Sequence, residues 1–133
     1  MVEMKILKIV VTNLLLISLL FGGALITEWK AEPGQDKIIL SWKTSSEVDV
    51  AKFVVERSIN NKSFSDIGEV AARGPGYSYQ FVDENLGKLK SLYYYRLRIV
   101  NIDGSYQHNE PLPVIPNISS INQTWGSIKA LFR

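Results

Sequence analysis

Residues 93–100 alternate between two kinds of side chain. Tyr93, Tyr95, Leu97 and Ile99 are aromatic or aliphatic, Arg96 and Arg98 stand between them, and Asn101-Ile102-Asp103-Gly104 follows at once. A period of two belongs to a strand with one buried face, and the tetrapeptide after it has the composition of a turn. The same reading finds short runs at 26–30, 37–43, 52–57, 64–71, 77–82 and 106–115. Turn markers separate them, among them Pro33-Gly34, Asn60-Asn61-Lys62 and Arg73-Gly74-Pro75-Gly76. Seven short strands with no helix between them predict an all-β chain, a seven-stranded antiparallel β-sandwich. The expected core is Trp42, Phe53, Val55, Ile67, Tyr79, Phe81, Tyr93, Tyr95, Leu97 and Ile99. Pro111 and Pro113 cannot donate to a ladder, so the last strand must be broken or lie at an edge.

With 133 residues there is room for one such domain and an extension at each end. Lys5 and Lys8 precede an apolar stretch, 9–26, interrupted by Thr12, Asn13, Ser18 and Gly22-Gly23. A basic start, an apolar middle and a small-residue end are the parts of a secretory signal peptide, with cleavage expected after Ala24. The rival reading is a retained signal-anchor helix: residues 6–26 make about 30 Å of helix, enough to contact and cross a membrane. The expected layout is therefore 1–24 signal peptide or anchor, 25–116 sandwich and 117–133 tail. Either way the basic start places the domain outside, secreted or at the cell envelope.

Composition removes several function classes. The chain has no cysteine, which excludes disulfides, thiolate nucleophiles and Cys-ligated metal. His108 is the single histidine and reads as a solvated loop residue, so a catalytic triad or multi-histidine metal site is not expected. A formal charge of +2 with no basic run gives no footprint for nucleic acid. Asp83-Glu84-Asn85 is the one acidic cluster, and it reads as a solvated turn rather than a calcium loop. No phosphate loop, nucleophile elbow or carboxylate pair is present, so neither catalysis nor a cofactor nor a bound metal is expected.

Three segments together carry a resemblance. Ile39-Leu40-Ser41-Trp42, then Phe53-Val54-Val55-Glu56-Arg57-Ser58, then residues 93–104 resemble a fibronectin type III domain of the immunoglobulin-like class. Trp42-Lys43-Thr44-Ser45-Ser46-Glu47, Val55-Glu56-Arg57-Ser58 and Asp103-Gly104-Ser105-Tyr106 look like the version found in secreted bacterial proteins of the Bacteroidetes–Chlorobi type. The resemblance places Trp42 as the strand-B tryptophan. It places Tyr93 as the tyrosine corner, whose hydroxyl bonds to backbone upstream. It covers 26–115 and implies a fold rather than a biochemical role, because this fold hosts many.

Function then rests on surfaces. Trp125, Ile128, Leu131 and Phe132 share one helical face of the tail and could dock on a protein, a membrane or a second copy. Glu56 and Arg57 are expected to pair with Arg96 and Arg98 across the outer face. Tyr94, Tyr106 and Trp29 are candidate rings for stacking on a sugar. The expected role is a non-catalytic exported module for protein–protein contact, with a partner or as a homo-oligomer assembled through an edge strand or the tail. The alternatives are a single-pass accessory subunit of a membrane complex and a carbohydrate-binding module.

Overall fold

The computed structural model describes residues 22–87 and 91–118. Eight strands follow one another: β1 (Gly23–Gly34), β2 (Lys37–Val48), β3 (Val50–Ser58), β4 (Ser65–Ala71), β5 (Ser78–Asp83), β6 (Tyr93–Asn101), β7 (Tyr106–His108) and β8 (Leu112–Val114). No helix occurs among the described residues, and so none that could cross a membrane. The strands form two antiparallel sheets. The smaller runs β1-β2-β5; the larger runs β4-β3-β6, with β7 and β8 both on the far side of β6.

The inner faces of the two sheets share one core. Ile38, Leu40, Trp42 and Tyr79 come from the smaller sheet, and Phe53, Val55, Tyr93, Tyr95, Leu97, Ile99 and Val114 from the larger. Trp42 sits between them: its ring is stacked on Tyr79 at 5.5 Å and meets Phe53 of the opposite sheet edge-on at 5.7 Å. Ile67 and Phe81 are half-buried at the margin of this core. Gly68 in β4 leaves space for the Phe81 ring, because a Cβ there would stand 2.4 Å from the ring's edge.

β1 differs from the sequence reading in three ways. The strand does not stop at Lys30 or turn at Pro33-Gly34. It continues through both, and the hairpin turns on Gln35-Asp36, with Gly34 opposite Lys37 and Asp36 at φ 58°. A proline is tolerated there because β1 lies at the sheet edge. The strand also begins at Gly23, so Gly23 and Ala24, assigned above to the export segment, pair with Val48 and Glu47. Between Thr27 and Lys30 the register slips by one residue, with Glu28 at φ 56°, and this bulge turns Trp29 toward Trp42. The rest of the export segment, residues 1–21, lies outside the described residues.

The last strand is interrupted at the prolines. β7 pairs with Arg98, Ile99 and Val100, and β8 with Tyr93, Tyr94 and Tyr95. Asn109 bridges the gap. Its side-chain oxygen accepts from the Leu97 amide at 2.7 Å, and its own amide donates to the Leu97 carbonyl at 3.1 Å. Beyond β8, Pro116 and Ile118 are buried, and Asn117 runs parallel to Gln35, accepting from the Asp36 amide at 2.9 Å. The apolar tail positions Trp125, Ile128, Leu131 and Phe132 lie outside the described residues.

Candidate functional site

Strand alternation puts Arg96 and Arg98 of β6 on the outer face of the larger sheet. The β3 register brings Glu56 opposite Arg96, and β4 brings Asp66 opposite Glu56. Glu56 is a carboxylate only 3% exposed on what would otherwise be a solvated face. Such a group must be compensated where it lies. Arg96 Nε donates to Glu56 Oε1 at 2.7 Å, and Arg98 Nη1 to Oε2 at 2.8 Å. Arg98 also holds Asp66 through both oxygens, at 3.0 and 3.1 Å. That pair raises the Arg98 guanidinium above its ordinary value. The hydrogen bond from Arg98 holds the Asp66 carboxyl below the usual carboxylate range.

Aromatic rings fix the planes of these guanidinium groups. Arg96 lies over Phe64 with its central carbon 3.8 Å from the ring centroid, and Arg98 lies 5.8 Å from the centroid of Tyr106. His108 is not a loop histidine: it sits on β7, edge-on to Tyr106 at 5.5 Å, with Nε2 3.4 Å from Glu56 Oε1. Lys52 is held at the border by Glu69 at 2.8 Å. Lys52, Glu56, Arg96, Arg98, Tyr106 and His108 line an open groove of about 490 Å³ across β3, β6 and β7, with Val100 and Gly104 at one end.

Arg57 departs from expectation. As the neighbour of Glu56 it points to the opposite side of β3, so it cannot join the outer-face network. Arg57 Nη1 instead donates to Asp83 of the other sheet at 2.8 Å, and the Tyr95 hydroxyl donates to the same oxygen at 2.6 Å. Burial and then the Asp83 hydrogen bond push the Tyr95 hydroxyl well above its ordinary range. Asp83, read from sequence as part of a solvated turn, is thus buried and fully engaged. The amide of Gly87, six residues upstream of Tyr93, donates to the Tyr93 hydroxyl at 3.1 Å.

The three candidate sugar rings are not brought together. Trp29 is packed on Trp42, and its Nε1 donates to the Glu110 carbonyl at 3.1 Å. Tyr94 is half-buried at the other end of β6, between Ser58 and Pro113. Only Tyr106, 61% exposed, faces the groove. No group of three or more acidic or histidine side chains among the described residues is placed to hold a metal. The sequence alone did not single out His108 or Asp66 as members of the site. Their membership depends on strand register, which residue type does not encode.

No family model matches the chain, and no curated protein matches it. Two solved structures are similar in shape. One is pectate lyase PelI from Erwinia chrysanthemi in complex with tetragalacturonic acid, with TM-score 0.53 and 17% identity, covering 68% of this chain and 28% of that one. The other is pectate lyase Pel3 from Pectobacterium carotovorum, with TM-score 0.47 and 19% identity, covering 71% of this chain and 26% of that one. The chain therefore spans about a quarter of the length of the lyases it matches. The likeness to PelI is one of fold.

Proposed function

We propose that the chain is an exported, non-catalytic carbohydrate-binding module built as a seven-stranded sandwich of the fibronectin type III kind. Support for the sandwich comes from the order β1-β2-β5 facing β4-β3-β6 and from counting β7 and β8 as one interrupted strand. The Gly87–Tyr93 bond supports the family reading, since it is the bond a tyrosine corner makes. Export rests on the basic and apolar N-terminal sequence.

The observation that carries the binding role is the groove itself. Its polar groups are already oriented by the Glu56 network, and the exposed Tyr106 ring borders them. Aromatic faces beside fixed hydrogen-bonding groups suit a sugar, whose C–H face stacks while its hydroxyls bond. The volume is within the range of small-ligand sites. Among the described residues the one carboxylate lining the groove, Glu56, is engaged by Arg96 and Arg98, which suits a binding role. The tetragalacturonic acid in the lyase belongs to that protein; this reading stands on Tyr106 and its neighbours. Binding of the purified domain to an array of oligosaccharides tests it, with Tyr106→Ala expected to abolish the signal. A blank array from folded wild-type protein would end the reading.

A second reading, contact with a protein partner or second copy, is favoured by Ile102 and Leu25. They are 72% and 62% exposed, and Ile102 is joined to Asp49 at the end of the molecule where β1 begins. Sedimentation of the domain, with and without Ile102→Ser, tests it. A monomer at all concentrations with no partner retained would refute it.

A further inference from the structure

We infer that the groove on the larger sheet takes an acidic saccharide, and that Arg96 is the residue that reads its carboxylate; the inference rests on the carbohydrate-binding reading above.

The cations around the groove are not equivalent. Arg98 spends its fork on Glu56 and on both oxygens of Asp66. Lys52 is paired with Glu69. Arg96 is different: only Nε is used, on Glu56 at 2.7 Å, and its terminal nitrogens make no hydrogen bond to any described residue. Its plane is nonetheless fixed from two sides, by Glu56 along one edge and by the Phe64 ring 3.8 Å below. A guanidinium held flat, partly exposed and with its terminal fork unused presents paired donors to a planar acceptor. The complement of that geometry is a carboxylate.

Charge alone would not select an acid here. Lys52, Arg96 and Arg98 face Glu56, Asp66 and Glu69, three against three, so the neighbourhood is formally neutral. Selection comes from the unfilled fork, which a hydroxyl can occupy with one bond and a carboxylate with two. His108 Nε2 stands 3.4 Å from Glu56 Oε1.

The occupant is a saccharide rather than a peptide for two reasons. The groove lies across β3 and β6, which are paired on both sides, so no peptide can add as a strand. Its apolar lining is Tyr106 and Val100, a ring and a small patch, which offers no pocket for a peptide's large anchor side chain. A sugar ring stacked on Tyr106 needs no such pocket.

The test uses the wild-type protein against matched oligosaccharides: gluco-, galacto- and mannuronates, their methyl esters, and the corresponding neutral glucans, galactans and mannans. Binding to one or more uronates, weakened about tenfold or more by esterification, is expected. Arg96→Lys, which keeps the charge and loses the fork, should reproduce the loss on the acid, so that the variant binds acid and ester alike. Equal affinity for acid, ester and neutral chains overturns the Arg96 assignment while leaving a carbohydrate module. Binding to none of them overturns both.

Discussion

Glu56→Gln is the most informative single substitution, because it changes the charge at the centre of the outer-face network with little change in shape. The carboxylate accepts from Arg96 on one oxygen and Arg98 on the other, and it is buried. A glutamine can offer one acceptor; its amide then faces the second guanidinium donor to donor. Removing one partner of a buried pair costs about 3–5 kcal/mol. Two features reduce that here. The arginines are 24% and 26% exposed, so water can resolvate them, and Arg98 keeps Asp66. A loss of about 2 kcal/mol is expected. In a domain of this size it lowers Tm by about 8–16 °C. With a urea m-value of about 2 kcal/mol/M it moves the midpoint by about 1 M. The m-value itself should not change. Adding Arg96→Met to Glu56→Gln should cost less than in the wild type, with a coupling of about 1 kcal/mol. If Glu56→Gln stays within about 0.5 kcal/mol of wild type, the network is a surface ornament and the compensated-charge argument is wrong.

Gly68→Ala should cost about 1–3 kcal/mol in urea unfolding, since its Cβ meets two Phe81 ring atoms at 2.4 and 2.6 Å; a neutral result would mean that the ring can move aside. Tyr95→Phe should cost about 1.5 kcal/mol at pH 7, because Asp83 keeps Arg57. The Tyr95 hydroxyl titrates higher in the folded protein than in the unfolded chain. Its contribution is therefore complete below about pH 10 and is lost as pH rises above that value. The wild type should lose stability faster than Tyr95→Phe above pH 10, and identical slopes in alkaline urea titrations would refute the assignment. Tyr93→Phe should speed amide exchange at Gly87 and cost about 1 kcal/mol, with unchanged exchange counting against the bond at 3.1 Å.

The fold was legible where a segment has one buried face. β6 alternates cleanly, and Tyr93, Tyr95, Leu97 and Ile99 all reach the core. β3 was harder: Phe53 to Glu56 are buried in succession, because long side chains from β6 and β4 cover its outer face as well. Pattern rules cannot anticipate a buried face made of arginine stems. Pro33-Gly34 looked like a turn beyond the strand because turn composition does not distinguish a turn from a tolerant edge. The site was half legible. Arg96, Arg98 and Glu56 share a face by simple alternation. Asp66 and His108 join them only through register across β4 and β7, and Arg57 leaves them because adjacent residues point apart.

The splice at Asn109 has a consequence beyond completing the ladder of β6. An unbroken strand along 106–114 would present a long row of open amides and carbonyls, a template on which another chain could polymerise. Here that border is cut into two three-residue pieces with prolines between and within them. β1, one border of the other sheet, is kinked by its bulge and carries Pro33. These two of the four sheet borders, the others being β4 and β5, are poor seeds for fibril growth. On the binding role proposed above, those two borders leave the groove on the larger sheet, rather than the rims, as the contact surface.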